Sequence, residues 1–261
     1  MKFRDMLYTK EDGIATITFN RPRALNALTA KMMQEWMTAM EDAANDDQVK
    51  VVVLTGAGRA FCSGRDMRYG EDEPESFSPF GESKSREQNI AGVLAALDKP
   101  YIAAINGPAV GAGMDYASMC DIRIASERAR FSMAYVRMGL PPAVGGCYFL
   151  PRIVGIANAC DLIWTGKMID AQEALRIGFV SQVVPHDELE AATKELAMRL
   201  AMGPSVAIRL AKRLIYGCLE LDLEKALEEH QKAILTALST EDAKEGPRAW
   251  IEKREPVFKG R

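Results

Sequence analysis

The sequence predicts an α/β protein, and three features of the chain carry this prediction. Through the first half, short β-branched runs alternate with stretches whose apolar residues have helical spacing. Two of the runs end in glycine, which is typical of a buried parallel strand that leads into a turn. After residue 185 the strand-like runs stop and four helical segments follow one another. We therefore expect a β/α core over 1–185 and a helical region over 186–261.

The elements can be predicted in chain order. Ile14–Asn20 alternates apolar and polar residues and ends at Arg21-Pro22, as a strand followed by a turn does. Thr29 is placed to cap a helix through "TAKMMQEWMTAMEDAAND". Further strands are predicted at "VKVVVLTG", "YIAAING" and "DIRIAS", and further helices at about 84–97 and from Ala112.

The composition narrows the classes of function. The 261 residues are 48% hydrophobic and 26% charged with a formal net charge of −3, so the chain has no basic excess for nucleic acid or an anionic membrane. It has no run of about 18 apolar residues and no signal-peptide pattern, from which we expect a cytoplasmic protein. Five irregularly spaced cysteines without a CxxC pair and only two histidines predict no metal site, no disulfide framework and no redox cofactor.

Two glycine-containing turns of the same form stand out, in "VVVLTGAGRAFCSGRDM" and "YIAAINGPAVGAGMDYA". Each follows a predicted strand and places backbone N–H groups where a helix begins, a position that attracts a negative oxygen. Two such groups that converge on one point form an oxyanion hole. Glycine turns also serve simply to let a helix pack close to a strand, and the pattern alone leaves both interpretations open.

Several segments carry a resemblance to a known family: "RPRALNAL", "GAGRAFCSGRDM", "KPYIAAINGPAVGAGMDYASMCDIRIAS", "GGCYFLPRIVG" and "EGPRAWIEKREPVFKG". Together they resemble the crotonase, or enoyl-CoA hydratase/isomerase, superfamily over about residues 8 to 260. The resemblance implies a crotonase-type spiral of ββα repeats with a C-terminal helical region that acts as a lid or in oligomerisation. It also implies an enzyme that binds an acyl-CoA thioester, with CoA as part of the substrate rather than a cofactor.

The resemblance assigns roles to particular positions. The backbone N–H groups of Arg65, after "FCSG", and Ala112, in the middle of "GAG", would form the oxyanion hole. The CoA-binding positions it implies are Ala24, Leu25, Ala60, Gly64, Asp66, Met67, Phe258 and Lys259. For Lys259 the alternative is an ordinary solvated surface charge.

Asp115 is the candidate catalytic base. It lies three residues after Ala112, and residues three apart share a helix face, so its carboxylate is expected on the side of the oxyanion hole. Relatives that hydrate enoyl-CoA have Glu here and a second Glu about twenty residues later. In this chain the second position is Tyr135, and Ala143 stands where some isomerases have Asp. For Asp115 we favour a catalytic role over that of a buried, paired structural acid, whereas Tyr135 is either catalytic or a packing residue.

Several reactions remain open for an Asp–Tyr pair. Hydration would use Asp115 on a water that Tyr135 positions, and double-bond isomerisation needs only one base. The leading expectation is an enoyl-CoA hydratase or isomerase. The runner-up is an acyl-CoA decarboxylase or hydrolase of the same fold, and a non-catalytic acyl-CoA binder is the contrasting class.

The acyl pocket and the assembly are expectations of the same kind. The acyl pocket is predicted from Phe80, Met133, Met138 and Pro142, although methionine is more often a core filler. The resemblance implies a homotrimer, or a hexamer formed by two trimers. We expect no nucleic-acid and no membrane partner.

Overall fold

The computed structural model describes residues 2–69 and 97–261, and the strands of these residues form two sheets. In chain order the strands are β1 (Met6–Glu11), β2 (Ile14–Phe19), β3 (Val51–Gly56), β4 (Tyr101–Ile105), β5 (Ala109–Val110), β6 (Ile122–Ser126), β7 (Arg130–Ser132), β8 (Ile169–Asp170) and β9 (Gln182–Val184). The larger sheet has the order β1-β2-β3-β4-β6-β9, and the smaller one has the order β5-β7-β8. In the larger sheet only the β1–β2 pair is antiparallel.

The described helices surround the larger sheet and then continue beyond it. They are α1 (Ala30–Asn45), α2 (Ala112–Ser118), α3 (Gly146–Val154), α4 (Ile156–Thr165), α5 (Ala171–Arg176), α6 (Leu189–Ala201), α7 (Ser205–Gly217), α8 (Leu223–Leu238) and α9 (Asp242–Glu252). Short 3-10 turns occur at Pro22–Ala24, Met67–Tyr69, Ala134–Met138, His186–Glu188 and Cys218–Glu220.

The predicted strands and helices of the first half are present wherever the structure describes them. The alternation in β2 has the expected cause, because Ile17 and Phe19 enter the main core while Thr16 and Thr18 alternate with them and are only partly buried. Thr29 caps α1 through its side-chain oxygen, which accepts a hydrogen bond from the Met32 backbone N–H at 3.2 Å. The helix expected at about 84–97 lies outside the described residues except for its last position.

Both faces of the larger sheet are covered by apolar side chains. On one face the main core includes Trp36 of α1, whose ring packs edge-on against Phe19 at 5.1 Å between centroids. On the other face α6 contributes Leu189 and Ala197 to a second cluster with residues such as Val51 and Ile102. A helix beyond residue 185 is therefore part of the sheet's own packing. The proposed division into 1–185 and 186–261 stays a prediction, and α6 packs with the first region.

Several elements were not predicted. The β1–β2 hairpin turns at Asp12-Gly13, both with positive φ (53° and 78°), and the Asp-Gly pair is the sequence signal that could have found it. The small second sheet has strands of two or three residues, too short for a periodicity to show. The paired helices α3 and α4 were missed as well, since glycines at 145, 146 and 155 favour a loop.

The last two helices leave many apolar side chains exposed. On α8 they recur at helical spacing and form one stripe, and on α9 they include Trp250 and Ile251, which are 85% and 79% exposed. The α8 stripe consists of Leu223, Leu227, Ile234, Leu235 and Leu238. Within the described residues, no helix is long and apolar enough to cross a membrane.

The Thr29 cap gives a direct test of the local stability of α1. Replacing Thr29 with Ala removes the acceptor for the Met32 N–H and should lower the free energy of unfolding by about 1 kcal/mol. Thr38→Ala, in the middle of the same helix and on its exposed side, is the matched control and should change it by less than about 0.5 kcal/mol. Chemical denaturation of both variants measures the difference, and equal effects would show that the cap contributes nothing specific.

Candidate active site

The two glycine turns lie side by side. The C=O of Cys62 in the first turn accepts a hydrogen bond from the Val110 N–H in the second at 2.9 Å, and the Cys62 N–H donates to Pro108 O at 3.1 Å. Cys62 and Ala109 form an isolated parallel bridge. These backbone bonds hold the turn after β3 against the turn after β4.

Glycine is required where the turns touch. A Cβ on Gly113 would overlap the Cys62 carbonyl, and a Cβ on Gly64 would lie 2.9 Å from Val110 O and 3.6 Å from the backbone N of Ala112. The positive φ of Gly64 (92°) also favours glycine. Gly64 thus brings the peptide that precedes Arg65 next to the first residue of α2.

The two predicted oxyanion-hole residues, Arg65 and Ala112, are therefore brought together by the backbone. Ala112 is the first residue of α2, where the N–H has no acceptor within the helix. Arg65 is bridged to Leu28, and the flanking bonds, Leu28 N–H to Gly64 O and Asp66 N–H to Leu28 O, are 2.8 and 2.9 Å long. In this parallel pattern the Arg65 N–H is directed away from Leu28.

Asp115 and Tyr135 are in direct contact. Asp115 is completely buried in the first turn of α2, and the Tyr135 hydroxyl donates a hydrogen bond to its Oδ2 at 2.5 Å. The pairing of β5 with β7 places Val110 opposite Ser132, and this register brings the following segment with Tyr135 beside the second turn. The other carboxylate oxygen of Asp115, Oδ1, is buried and accepts no hydrogen bond from the described residues.

Burial sets the protonation of this pair. It raises the pKa of Asp115 to about 6, although the hydrogen bond from the Tyr135 hydroxyl and the nearby Val144 backbone N–H act in the opposite direction. Burial, followed by the nearby Asp115 charge, raises the pKa of Tyr135 far above its ordinary value of 10.0. At neutral pH the pair is therefore a carboxylate that accepts and a neutral phenol that donates.

Most of the predicted CoA-binding positions are also neighbours. Ser63 N–H donates to Leu25 O at 3.0 Å, and the buried amide of Asn26 donates to Ala60 O at 2.7 Å, so the segment with Ala24 and Leu25 lies against the first glycine turn. Asn26 was not singled out from the sequence. It has a positive φ (55°), and its residue type is the only feature of the sequence that could have indicated this.

Asp66 pairs with two arginines, and its predicted role in CoA binding stays a prediction. Its buried carboxylate accepts hydrogen bonds from Arg68 Nε and Nη2 and from Arg21 Nη2, all at 2.9 Å. The hydrogen bond from Arg68 is the main cause that lowers the pKa of Asp66. Asp66 therefore orients two guanidinium groups beside the first turn, while the neighbouring Met67 is 64% exposed.

The remaining predicted site residues are spread more widely. The backbone N–H of Lys259 donates to Asp242 Oδ1 at 2.7 Å and its Nζ to Glu241 Oε2 at 3.0 Å, and Phe258 lies next to Gly246 on α9. Of the acyl-pocket positions, Met133 is buried in the main core and Met138 is 60% exposed. Pro142 is half-buried near Gly146, and Phe80 lies outside the described residues. These assignments stay predictions.

Other groups that could carry chemistry are the thiols and possible metal ligands. Burial raises the pKa of the Cys62 thiol to about 12, so it is no nucleophile at neutral pH. In the parts of the chain that the structure describes, no three His, Cys, Asp or Glu side chains are grouped so as to hold a metal ion.

Comparison with known proteins agrees with this geometry. The family model described as enoyl-CoA hydratase/isomerase matches residues 9–261. The short-chain-enoyl-CoA hydratase of Clostridium acetobutylicum is 39% identical over 259 residues, 97% of each chain. The crotonyl-CoA hydratase of Syntrophomonas wolfei is 34% identical over 263 residues, 99% of each chain. A crystal structure of an enoyl-CoA hydratase subunit I from Geobacillus kaustophilus superposes with a TM-score of 0.91 and 34% identity, covering 100% of both chains.

The fold and the paired glycine turns define an enzyme of the crotonase superfamily. The chain belongs to the enoyl-CoA hydratase/isomerase family. The fold class and the family predicted from the sequence are thereby confirmed.

The buried carboxylate makes a prediction about stability. The pKa of Asp115 is about 6 in the folded protein against an ordinary value of 3.8, so the folded state binds the extra proton between these values. Stability is therefore lost as the pH rises from about 4 through 6. Since one pKa unit corresponds to about 1.4 kcal/mol, the loss is on the order of 3 kcal/mol.

Asp115→Asn should consequently be more stable than the parent enzyme at pH 8, and the difference should vanish near pH 4. Thermal unfolding of both proteins across this pH range measures it. Glu190→Gln, the equivalent replacement at an exposed carboxylate on α6, is the control and should change the stability at pH 8 by less than about 0.5 kcal/mol. A parent enzyme that is the more stable of the two at pH 8 would contradict the prediction.

Proposed function

We propose that this enzyme adds water to the double bond of a 2-enoyl-CoA thioester, with Asp115 as its single catalytic carboxylate. The observation that carries the proposal is the buried carboxylate of Asp115. It accepts a hydrogen bond from the Tyr135 hydroxyl at 2.5 Å, and Asp115 lies on the short helix that begins at Ala112. The names of the relatives, which are enoyl-CoA and crotonyl-CoA hydratases, support the same substrate class.

The backbone would activate the thioester. The N–H groups of Arg65 and Ala112 would donate to the thioester oxygen and stabilise the enolate that forms when a nucleophile adds to the β-carbon. Each such donor contributes roughly 2.7–4 kcal/mol to the stabilisation of a transition state. Gly64 and Gly113 let the two turns pack closely enough for Arg65 and Ala112 to be neighbours.

Asp115 would act as the base. With a pKa of about 6, it is mostly ionised at pH 7 yet basic enough to accept a proton from water. The water oxygen attacks the β-carbon, its proton goes to the carboxylate, and the electron pair of the double bond moves into the enolate. The protonated Asp115 then returns the proton to the α-carbon. Tyr135 keeps the carboxylate oriented, and its oxygen is an acceptor for the attacking water.

Double-bond isomerisation is the second candidate, and the single carboxylate favours it. Moving a proton from the α-carbon to the γ-carbon needs one base that accepts and then donates, together with a stabilised enolate. Tyr135 and Ala143 stand where relatives have further carboxylates, so Asp115 is the one of these three positions that can do this work.

The remaining parts of the proposal concern cofactor, location and assembly. CoA enters as part of the substrate, and the chemistry described above requires neither a metal nor a redox cofactor. The five cysteines, all unpaired, suit a reducing compartment, which supports a cytoplasmic enzyme. The exposed apolar residues of α8 and α9 support a homotrimer or a hexamer of two trimers.

The proposed activity is tested with purified enzyme and a panel of 2-enoyl-, 3-enoyl- and malonyl-type CoA thioesters, read by mass spectrometry. Asp115→Asn should lower kcat for the preferred substrate by roughly 10²- to 10⁴-fold. Tyr135→Phe should lower it by about tenfold, because a hydrogen bond to a charged group is lost. If only the malonyl-type thioester is turned over, and Asp115→Asn leaves its kcat unchanged, the enzyme is a decarboxylase and the proposal is wrong.

The pH profile separates the roles of the two residues. In the parent enzyme kcat/KM should fall below about pH 6, where Asp115 becomes protonated. In Tyr135→Phe this limb should move to higher pH, because the phenol hydrogen bond lowers the pKa of Asp115. A limb that stays in place in Tyr135→Phe would assign Tyr135 to packing.

The assembly is tested by native mass spectrometry of the full chain. We expect a mass of three or six chains, since an apolar stripe such as that of α8 is rarely left in water. Replacing Leu227 and Leu238 on this stripe with Lys should give smaller species, whereas the same change at Glu229 and Thr236, exposed polar positions on the opposite face of α8, should not. A parent enzyme that is a monomer at micromolar concentration would contradict the proposal.

A further inference from the structure

The carboxylate of Asp115 has a second neighbour besides Tyr135. Gly146, the first residue of α3, lies against its Oδ1. A Cβ on Gly146 would come closer than 3.0 Å to this oxygen, to 3.2 Å from the carboxylate carbon and to 3.0 Å from Cβ of Pro142. The space that a methyl group would fill is therefore occupied by the carboxylate itself.

The backbone at Gly146 does not need glycine. Gly145, the residue before it, has a φ of 95°, which L side chains rarely adopt, but Gly146 is helical and has no positive φ. Helices accept alanine more readily than glycine. The absence of a side chain at Gly146 is thus explained by the contact with Asp115 and not by the local conformation.

Several contacts hold the carboxylate in place. Asp115 is wholly buried, its backbone N–H is bonded to Gly111 O at 3.0 Å, and its Oδ2 accepts the Tyr135 hydroxyl. A methyl group on Gly146 would have to rotate the carboxylate away from the phenol or displace the start of α3. Either movement changes the position of the proposed base relative to the Arg65 and Ala112 amides.

We propose that Gly146 is a positioning residue for Asp115: Tyr135 fixes one carboxylate oxygen by a hydrogen bond, and Gly146 leaves the space that the other oxygen occupies. The proposal rests on the assignment of Asp115 as the base, and it adds that the orientation of this base is set jointly from the 3-10 turn that contains Tyr135 and from the start of α3. Gly146→Ala would act on the reaction through Asp115 without touching the substrate.

A matched control exists at the end of α7. Gly217 is also helical, with φ −68° and ψ −31°, and a Cβ there would meet nothing within 4 Å. Gly217→Ala introduces the same methyl group in the same backbone conformation but in open space. It should leave kcat, KM and the pH profile unchanged.

The first experiment measures kcat, KM and the pH profile of the full-length enzyme for the parent, Gly146→Ala, Gly217→Ala, Tyr135→Phe and the Gly146→Ala/Tyr135→Phe double variant. Gly146→Ala should lower kcat at least about tenfold, as small misplacements of a catalytic group do, with KM changed by less than about threefold. Its low-pH limb should move upwards, as in Tyr135→Phe. The two effects should combine less than additively, because both act on the same hydrogen bond.

The second experiment does not depend on activity and covers the case in which Gly146→Ala folds poorly. It compares thermal stability in the parent and in an Asp115→Ala background, where the obstructing carboxylate is absent. Gly146→Ala should lower the melting temperature in the parent background and leave it unchanged or raise it in Asp115→Ala. Equal destabilisation in both backgrounds would overturn the proposal, as would a Gly146→Ala enzyme with the parent's kcat and pH limb.

The two proposals fail in different ways. If Asp115→Asn keeps the parent's kcat, the assignment of the base is wrong, whatever Gly146→Ala does. If Asp115→Asn is inactive and Gly146→Ala is fully active with an unchanged pH limb, the base stands and the positioning role of Gly146 is wrong.

Discussion

The close packing of the two glycine turns fixes the position of the groups in the active site. Cys62 is the point of contact, because its C=O both accepts the Val110 N–H and lies where a side chain on Gly113 would be. With this contact formed, Arg65 follows one turn and Ala112 begins α2 beside it. Asp115 comes less than one helical turn later, so the spacing between the amides and the carboxylate is set by backbone geometry.

The same packing buries the Asp115 carboxylate with few hydrogen-bond donors. This destabilises its ionised form and makes it a stronger base. Asp115 has one hydrogen-bond donor from a side chain, Tyr135, and an Oδ1 without a partner among the described residues, so its ionised form is poorly compensated. This is the reason for its raised pKa. A carboxylate with a full set of donors would have a lowered pKa and would be a weaker base. Asp66, which directly follows Arg65 and pairs with two arginines, is an example.

The larger features of this protein could be predicted from its sequence, since they depend on local patterns. Strands such as β2 and β3, the capped helix α1 and the turn that opens α2 follow from periodicity and from single residues, Thr29 among them. The family resemblance then singled out Arg65, Ala112, Asp115 and Tyr135 as candidate site residues, and their roles stay predictions. The contact between Asp115 and Tyr135 was left open, because it depends on the register of β5 with β7, two very short strands.

The Gly-Gly pair at 145–146 is visible in the sequence, but no sequence rule tells why each of the two positions is glycine. Gly145 is required by its positive φ, whereas Gly146 is required because a side chain there would collide with Asp115. The second cause becomes apparent only when α2 and α3 are placed together in space. Likewise, α6 belongs to the sheet by packing although it begins the run of helices that the sequence set apart.

An Asp–Tyr pair differs from a pair of glutamates in its charge and in the protons it can donate. Two carboxylates side by side carry two charges or share a proton, whereas the Asp115–Tyr135 pair carries one charge at neutral pH, and its phenol proton is already engaged by the carboxylate. Tyr135 can therefore accept a hydrogen bond from water but has no second proton to give. In the proposed hydration, the proton that reaches the substrate carbon would come from Asp115. A site limited in this way depends on the exact orientation of a single carboxylate, which is why its two neighbours, a hydroxyl on one oxygen and a glycine on the other, matter more than they would in a site with two acids.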